Sequence, residues 1–365
     1  MCRARLALVL GMLWPLMGLV LPGPATAERG QNGQPVDALA SETQGGAGRL
    51  IFGVFPGGGN DQFGYVAPPS WERAINELEQ LRGDGSYDVH LYTAWSWHTD
   101  AFLDSQIELF TGAGYNVTLT IKYSPPPGKV GDVDGYAAFV RRVVSRHASN
   151  ALVHRYAIAN EINVPPEGDP GASDGPIPGA REATIAGVDV ARAILDEHQP
   201  AAEVGISLAV LERETDARFL ADLVALGGAG FAGDVSFVGL NIYPGLWPVG
   251  TGDPYEDMRT HLRNGRYSIT ASGLGADVGL VVLENGFPTT DDGVQATKIE
   301  GFLRATCEVA GEVGLTGYYW FDLWDANSAS QSPYAHYGLL KSDLSPKPGY
   351  DLFQRVASQG CGVFG

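Results

Sequence analysis

From Leu50 onward the chain alternates short apolar runs, rich in β-branched and aromatic residues, with longer segments in which apolar positions recur every three or four residues. The short runs predict strands at 50–55, 87–93, 116–122, 153–159, 202–208, 235–241, 279–283 and 316–321. The segments between them read as helices, among them Ser70 to Leu81, Gly135 to His147, Ala180 to His198 and Gly293 to Gly311. Ser70 opens the first of these as a cap, with Glu72 close behind it and Ala74, Leu78 and Leu81 on one face. Strands that alternate with helices predict a parallel sheet, and a count approaching eight selects a closed (β/α)8 barrel of the TIM type over an open doubly wound sheet. The expected fold class is therefore α/β, with one barrel domain over 49–365. Gly57-Gly58-Gly59 follows the first strand, but Asn60-Asp61 comes next instead of a helix with a lysine, so the run reads as a flexible rim loop and not a phosphate loop.

Two strands end in carboxylates. The run from His154 to Ala159 stops at Asn160-Glu161, and Gly279 to Leu283 stops at Glu284, followed by Asn285-Gly286. In a closed parallel barrel all strand C-termini meet on one face, so glutamates far apart in sequence can share one pocket. Paired carboxylates suit glycosidic bond cleavage, one as a proton donor and the other as nucleophile or base. Taken singly, each is also an ordinary surface acid at a strand end. Other strand ends carry groups suited to sugars: Tyr92 to His98 with Trp95 and Trp97 after the second strand, Tyr123 after the third, Asn241-Ile242-Tyr243 after the sixth and Tyr318-Tyr319-Trp320 in the last. Aromatic faces pack on the C–H face of a pyranose while amides and hydroxyls bind its hydroxyl groups, although such aromatics also cap barrel cores. The long Gly- and Pro-rich loop from Val164 to Pro178 is expected to build one cleft wall; its acids lack the spacing of a calcium loop, so no metal and no cofactor is expected.

Composition narrows the setting. Arg3 and Arg5 precede an apolar run from Leu6 to Leu21, and Ala25-Thr26-Ala27 supplies a small-residue cleavage pattern, which reads as a signal peptide over 1–27. The run is broken by Pro15 and is shorter than the roughly 20 residues of a membrane span. Residues 28–48 contain almost no large apolar side chains and read as a flexible linker. Of 24 basic and 42 acidic residues, the leader holds two arginines and no acid, so processing leaves a net charge of −20. Such a surface repels phosphate backbones and excludes nucleic acid as a partner. The expected protein is secreted or periplasmic, free of the membrane after processing, and a monomer. Cys307 and Cys361 remain after the leader; in an oxidising compartment they form one disulfide, with two free buried thiols as the alternative.

Asn160-Glu161 after the fourth strand, Tyr243 after the sixth, Leu283-Glu284-Asn285-Gly286-Phe287-Pro288 after the seventh and Trp320 on the eighth resemble the retaining β-glycosidase clan of (β/α)8 barrels, which includes cellulases, mannanases, galactanases and β-galactosidases. The segment from Tyr337 to Tyr350 is similar to the clan's stretch before its final helix. The resemblance spans roughly residues 50 to 357 and implies a double displacement on an oligo- or polysaccharide with net retention. It assigns Glu161 as acid/base, Glu284 as nucleophile, Asn160 to the sugar 2-hydroxyl, Tyr243 to Glu284 and Trp320 to the floor of a sugar subsite. His90, Trp95 and Asn241 join the substrate-binding set. Many members carry an arginine at the end of the second strand, where this chain has His90, a departure that bears on how the nucleophile is supported. A carbohydrate-binding barrel without turnover and a transglycosylase are the alternatives; a binding module has no need of both glutamates.

Overall fold

The computed structural model describes residues 50–60, 64–83, 85–96, 100–246 and 250–365. The proposed leader over 1–27 and the linker over 28–48 lie outside these residues, as do Trp97 and His98. Eight parallel strands close a barrel: Ile51–Val54, Tyr87–Ala94, Asn116–Lys122, Val153–Ile158, Glu203–Ala209, Phe237–Ile242, Gly279–Asn285 and Leu315–Trp320. The first strand pairs on both sides, Phe52 opposite Tyr87 and opposite Tyr318, which closes the ring. Each strand is followed by a helix: Trp71–Arg82, Asp100–Gly112, Val133–His147, Ala180–His198, Arg213–Asp234, Pro254–Ser272, Asp292–Val313 and Tyr350–Gln359. This is the (β/α)8 barrel that the periodicity predicts.

Local chemistry sets the helix ends. Asp253 accepts hydrogen bonds from the N–H groups of Tyr255 and Glu256 ahead of Pro254, and Asp291 does the same for Gly293 and Val294, satisfying donors that a helix start leaves orphaned. Gly314 ends the helix Asp292–Val313 at φ 62, a conformation that costs glycine nothing.

Strand alternation divides the core in two. Outward side chains pack against the helices in one continuous apolar layer, while Ala157, Phe237, Val281, Leu283 and Tyr319 fill the barrel interior. Large interior side chains face small ones: a β-carbon on Gly239 would stand 2.2 Å from Leu283 Cδ1. Below them lies a polar layer in which Tyr319 donates to Asp88 at 2.6 Å, Arg155 donates to Tyr319 at 2.9 Å and to Glu203 at 2.7 Å, and His154 pairs with Asp88 at 2.7 Å. Every charge there has a partner, as burial demands.

Two expectations change. The glycine run after the first strand is not a loop throughout, because Gly58–Asn60 pairs antiparallel with Gly64–Val66. This hairpin is tied to the segment after the eighth strand, where the Gly59 N–H donates to Asp322 at 2.9 Å and the Trp324 indole donates to the Val66 carbonyl at 3.1 Å. The second concerns Trp320. In the eighth strand Gly317 and Tyr319 point inward, so Trp320 points outward with Tyr318; it is fully buried against Phe353 and donates to the Tyr337 carbonyl at 3.0 Å. It cannot floor a cleft inside the barrel. Cys307 and Cys361 are bonded with Cα atoms 5.2 Å apart, fixing the C-terminal turn Cys361–Phe364 to the helix Asp292–Val313. Among the described residues no helix is long and apolar enough to cross a membrane.

Candidate active site

The two glutamates reach the C-terminal mouth of the barrel by different backbone devices. After Val153–Ile158 the chain turns sharply, with Ala159 at φ 63 and Glu161 at φ 51, a left-handed conformation that costs non-glycine residues on the order of 1–3 kcal/mol each. The turn is held by Asp174, whose Oδ2 accepts the N–H groups of Asn160 and Tyr123, each at 2.7 Å. Glu284 depends on a bulge. Leu240 pairs with Val282 but Asn241 pairs with Glu284, so the seventh strand gains a residue and Glu284 faces inward directly after the inward Leu283. Asn285 then faces outward, donating to the Ile242 carbonyl at 2.6 Å and accepting from Tyr318 at 2.5 Å.

Glu161 is buried. Ser173 donates to its Oε2 at 2.5 Å, and the Asn241 amide donates to its Oε1 at 3.1 Å. Burial first, and then the negative charge of Glu284, push its carboxyl up to about 7; the Ser173 and Asn241 hydrogen bonds and the Lys122 charge oppose the rise. Glu284 has different company. Tyr92 donates to its Oε1 at 2.7 Å and Tyr243 to its Oε2 at 2.5 Å. Burial and the Glu284 charge hold both phenols well above their ordinary pKa, so each remains a donor at every pH at which proteins work.

The other expected site residues separate into those at the mouth and those beneath it. Asn160 is buried beside Glu161; its Nδ2 donates to the Ala172 carbonyl at 3.1 Å and its Oδ1 accepts from Asn241 at 3.2 Å. Asn241, expected to touch substrate, is 1% exposed, and its amide is committed to Asn160 and Glu161, so it orients the Glu161 carboxyl. His90 is also 1% exposed, one interior layer below Tyr92, with both ring nitrogens bonded to protein; it supports the site from below and does not line it. Trp95 is half-buried at the rim, beside Tyr123 and Tyr136. Phe321, the residue after Trp320, is the aromatic that reaches the mouth, half-buried, stacked on Phe55 and edge-on to Tyr243 and Tyr337.

Several contacts here are not marked in the sequence. Tyr92 reads there only as one of the strand-end groups suited to sugars, and its parity with His90, one alternation step away on the same face, is the signal for its place beside Glu284. Ser173 and Asp174 sit in the Gly- and Pro-rich loop behind Glu161, where nothing in the pattern marks them. Asp322 is buried beside Glu284, and burial, then the Glu284 and Asp325 charges, drives its carboxyl well above the usual range. Among the described residues no cluster of histidines, cysteines and acids has the arrangement of a metal site.

No protein-family model matches the chain, and no curated protein matches it. Solved structures do. A family 1 β-glucosidase from Thermotoga maritima superposes with a TM-score of 0.58 at 15% identity, covering 80% of this chain and 86% of that one. An exo-β-1,4-mannosidase from Opitutaceae bacterium strain TAV5 gives 0.58 at 16% identity, covering 86% of this chain and 60% of that one. A family 39 glycoside hydrolase from Bacteroides cellulosilyticus WH2 gives 0.55 at 17% identity, over 85% and 64%. At these identities the likeness is one of fold.

Proposed function

We propose that this chain is a retaining β-glycoside hydrolase that hydrolyses the O-glycosyl bonds of a poly- or oligosaccharide by double displacement, with Glu161 as acid/base and Glu284 as nucleophile. The observation that carries the reading is the contrast between two carboxyls that feel each other's charge. One is pushed up to about 7 by burial and by the other, while the other accepts two phenolic hydrogen bonds. In the first step Glu284 attacks the anomeric carbon while Glu161 gives its proton to the departing glycosidic oxygen, forming a glycosyl ester. In the second, the ionised Glu161 takes a proton from water as the water oxygen displaces Glu284. A group that gives and then takes a proton works best with a pKa near working pH, which suits Glu161.

Around this pair, Asn160 is assigned to the sugar 2-hydroxyl, and Trp95 and Phe321 to its apolar faces, with Phe321 taking the place first given to Trp320. The solved barrels of like fold are described as a β-glucosidase, a mannosidase and a glycoside hydrolase, which supports carbohydrate as the partner. The leader pattern over 1–27 and the Cys307–Cys361 bond support export as a secreted or periplasmic protein. Transglycosylation shares the same intermediate and differs in the acceptor; a pure binding barrel leaves the opposed environments of the two carboxyls without a use. The test is to offer the purified protein 4-nitrophenyl and oligosaccharide β-glycosides and to follow the first-formed sugar by NMR. Release of the β-anomer is expected. Release of the α-anomer, or no cleavage of any β-glycoside, overturns the reading.

A further inference from the structure

His90 is a buried titratable group to which the two chemical steps give no part. It faces Thr120 from the third strand, Leu283 from the seventh, Tyr319 from the eighth with ring centroids 5.6 Å apart, and Tyr92 above; the charges of Asp88 and Arg155 act on it from the polar layer below. Its Nδ1 lies 2.9 Å from the Leu283 carbonyl oxygen, which can only accept, so Nδ1 carries a proton. Its Nε2 lies 2.7 Å from Thr120 Oγ1. Burial, helped by the Arg155 charge, outweighs the Leu283 carbonyl and Asp88 and pushes the ring down to about 3, so at neutral pH Nε2 is bare and takes the threonine proton. The Tyr92 oxygen is 3.2 Å from Nδ1. A nitrogen that already bears a proton cannot accept another. Tyr92 therefore receives a share of that N–H and sends its own proton to Glu284 Oε1, 2.7 Å away.

We propose that His90 is a positioning residue for the nucleophile: a neutral imidazole, locked in one tautomer between Thr120 and Leu283, it directs the Tyr92 hydroxyl proton onto Glu284. An uncharged chain of donors thus does at this place what the resemblance assigns to an arginine. The inference rests on Glu284 being the nucleophile.

The test is a double-mutant cycle on the whole chain, using whichever of 4-nitrophenyl β-glucoside, β-mannoside and β-galactoside the parent cleaves fastest. Tyr92→Phe is expected to lower kcat/KM by about 10- to 100-fold, the range of one hydrogen bond to a charged group. His90→Leu should lower it by about 5- to 30-fold, in kcat with KM unchanged, on the same scale. His90→Asn, whose amide puts an N–H where Nδ1 stands, should recover most of that loss, and His90→Gln, whose amide reaches the Nε2 position, should not. The His90→Leu/Tyr92→Phe double variant should be no slower than Tyr92→Phe alone, because both changes break one chain. If His90→Leu does not fold, the Asn and Gln variants carry the comparison. Losses that multiply in the double variant, Asn no better than Gln, or His90→Leu at the parent rate would overturn the proposal. A parent that cleaves no glycoside fails the hydrolase reading and this inference with it; an active parent silenced by Glu284→Ala, but with multiplying losses, fails only the inference.

Discussion

The Ser173 hydroxyl stands 2.5 Å from Oε2 of Glu161, so the carboxyl assigned as acid/base is gripped by the loop that leaves its own strand. That hydrogen bond favours the ionised carboxyl and works against burial and the Glu284 charge, which together bring Glu161 up to about 7. Because the first step needs Glu161 protonated, kcat/KM should fall as pH rises through about 7. Ser173→Ala removes a stabiliser of the charged form, so the group should titrate later and the basic limb should move to higher pH. A kcat/KM–pH profile of parent and variant checks this, and an unmoved or lowered limb speaks against Glu161 as the proton donor.

Tyr243→Phe keeps the buried ring and deletes only the donor to Glu284 Oε2. In this variant kcat/KM should fall by about 10- to 100-fold, the range of a hydrogen bond to a charged group, with thermal stability close to the parent's. Steady-state kinetics alongside a melting curve separate the two quantities. A loss confined to KM would mean that Tyr243 binds sugar instead of supporting the nucleophile.

How far the sequence carried follows from what periodicity encodes. Runs such as Asn116–Lys122 are long and β-rich, so all eight strands were legible, and with them the two glutamates at strand ends. What failed was parity. Tyr318, Tyr319 and Trp320 are all aromatic and all buried, so alternation offers no hydrophobic contrast to tell inward from outward, and Trp320 was assigned to the wrong face. The bulge that turns Glu284 inward leaves no mark in Val-Val-Leu-Glu-Asn; counting by twos from Val281 and Leu283 predicts Asn285 inside. His90 is singled out by the position of the clan's arginine and Asn241 as a polar residue at a strand end, but depth within the barrel is a three-dimensional quantity. They hold other side chains; Tyr92 reads in the sequence as a sugar-suited aromatic and not as a donor to Glu284, and Ser173 carries no mark there at all.

Lys347 and Asp325 form an ion pair of 2.6 Å with both side chains 1% exposed, and Asp325 also receives the Gly338 N–H and the Ser328 hydroxyl. The pair fixes the segment after the eighth strand that carries Asp322 and meets the hairpin. Lys347→Ala should destabilise the protein by about 3–5 kcal/mol, since it leaves a buried carboxyl without its cation. Replacing both partners by apolar residues should cost less. Chemical denaturation of the single and double variants measures the difference, and a single variant within 1 kcal/mol of the parent, about the scale of an exposed pair, would contradict it.

The Cys307–Cys361 bond spans 54 residues and lies on the outer helical ring, away from the glutamates. Cys361→Ser should lower stability by about 2–4 kcal/mol under oxidising conditions and leave kcat unchanged at temperatures where the protein is folded. Denaturant titration with parallel assays tests both halves. A variant with full stability, or a folded variant with altered kcat, would contradict this placement of the bond.

The division of labour between Glu161 and Glu284 is tested most directly by azide rescue. In Glu161→Ala, a substrate with a good leaving group such as a 2,4-dinitrophenyl β-glycoside needs no proton donor, so the ester on Glu284 should form and then wait for a base that is gone. Azide attacks without base assistance. Azide should restore turnover of Glu161→Ala with the β-glycosyl azide as product, while Glu284→Ala should yield no β-azide, since azide taking the nucleophile's place there inverts once and gives the α-glycosyl azide. β-Azide from Glu284→Ala with Glu161→Ala unaffected would reverse the assignment, and failure of azide to act on Glu161→Ala would contradict it.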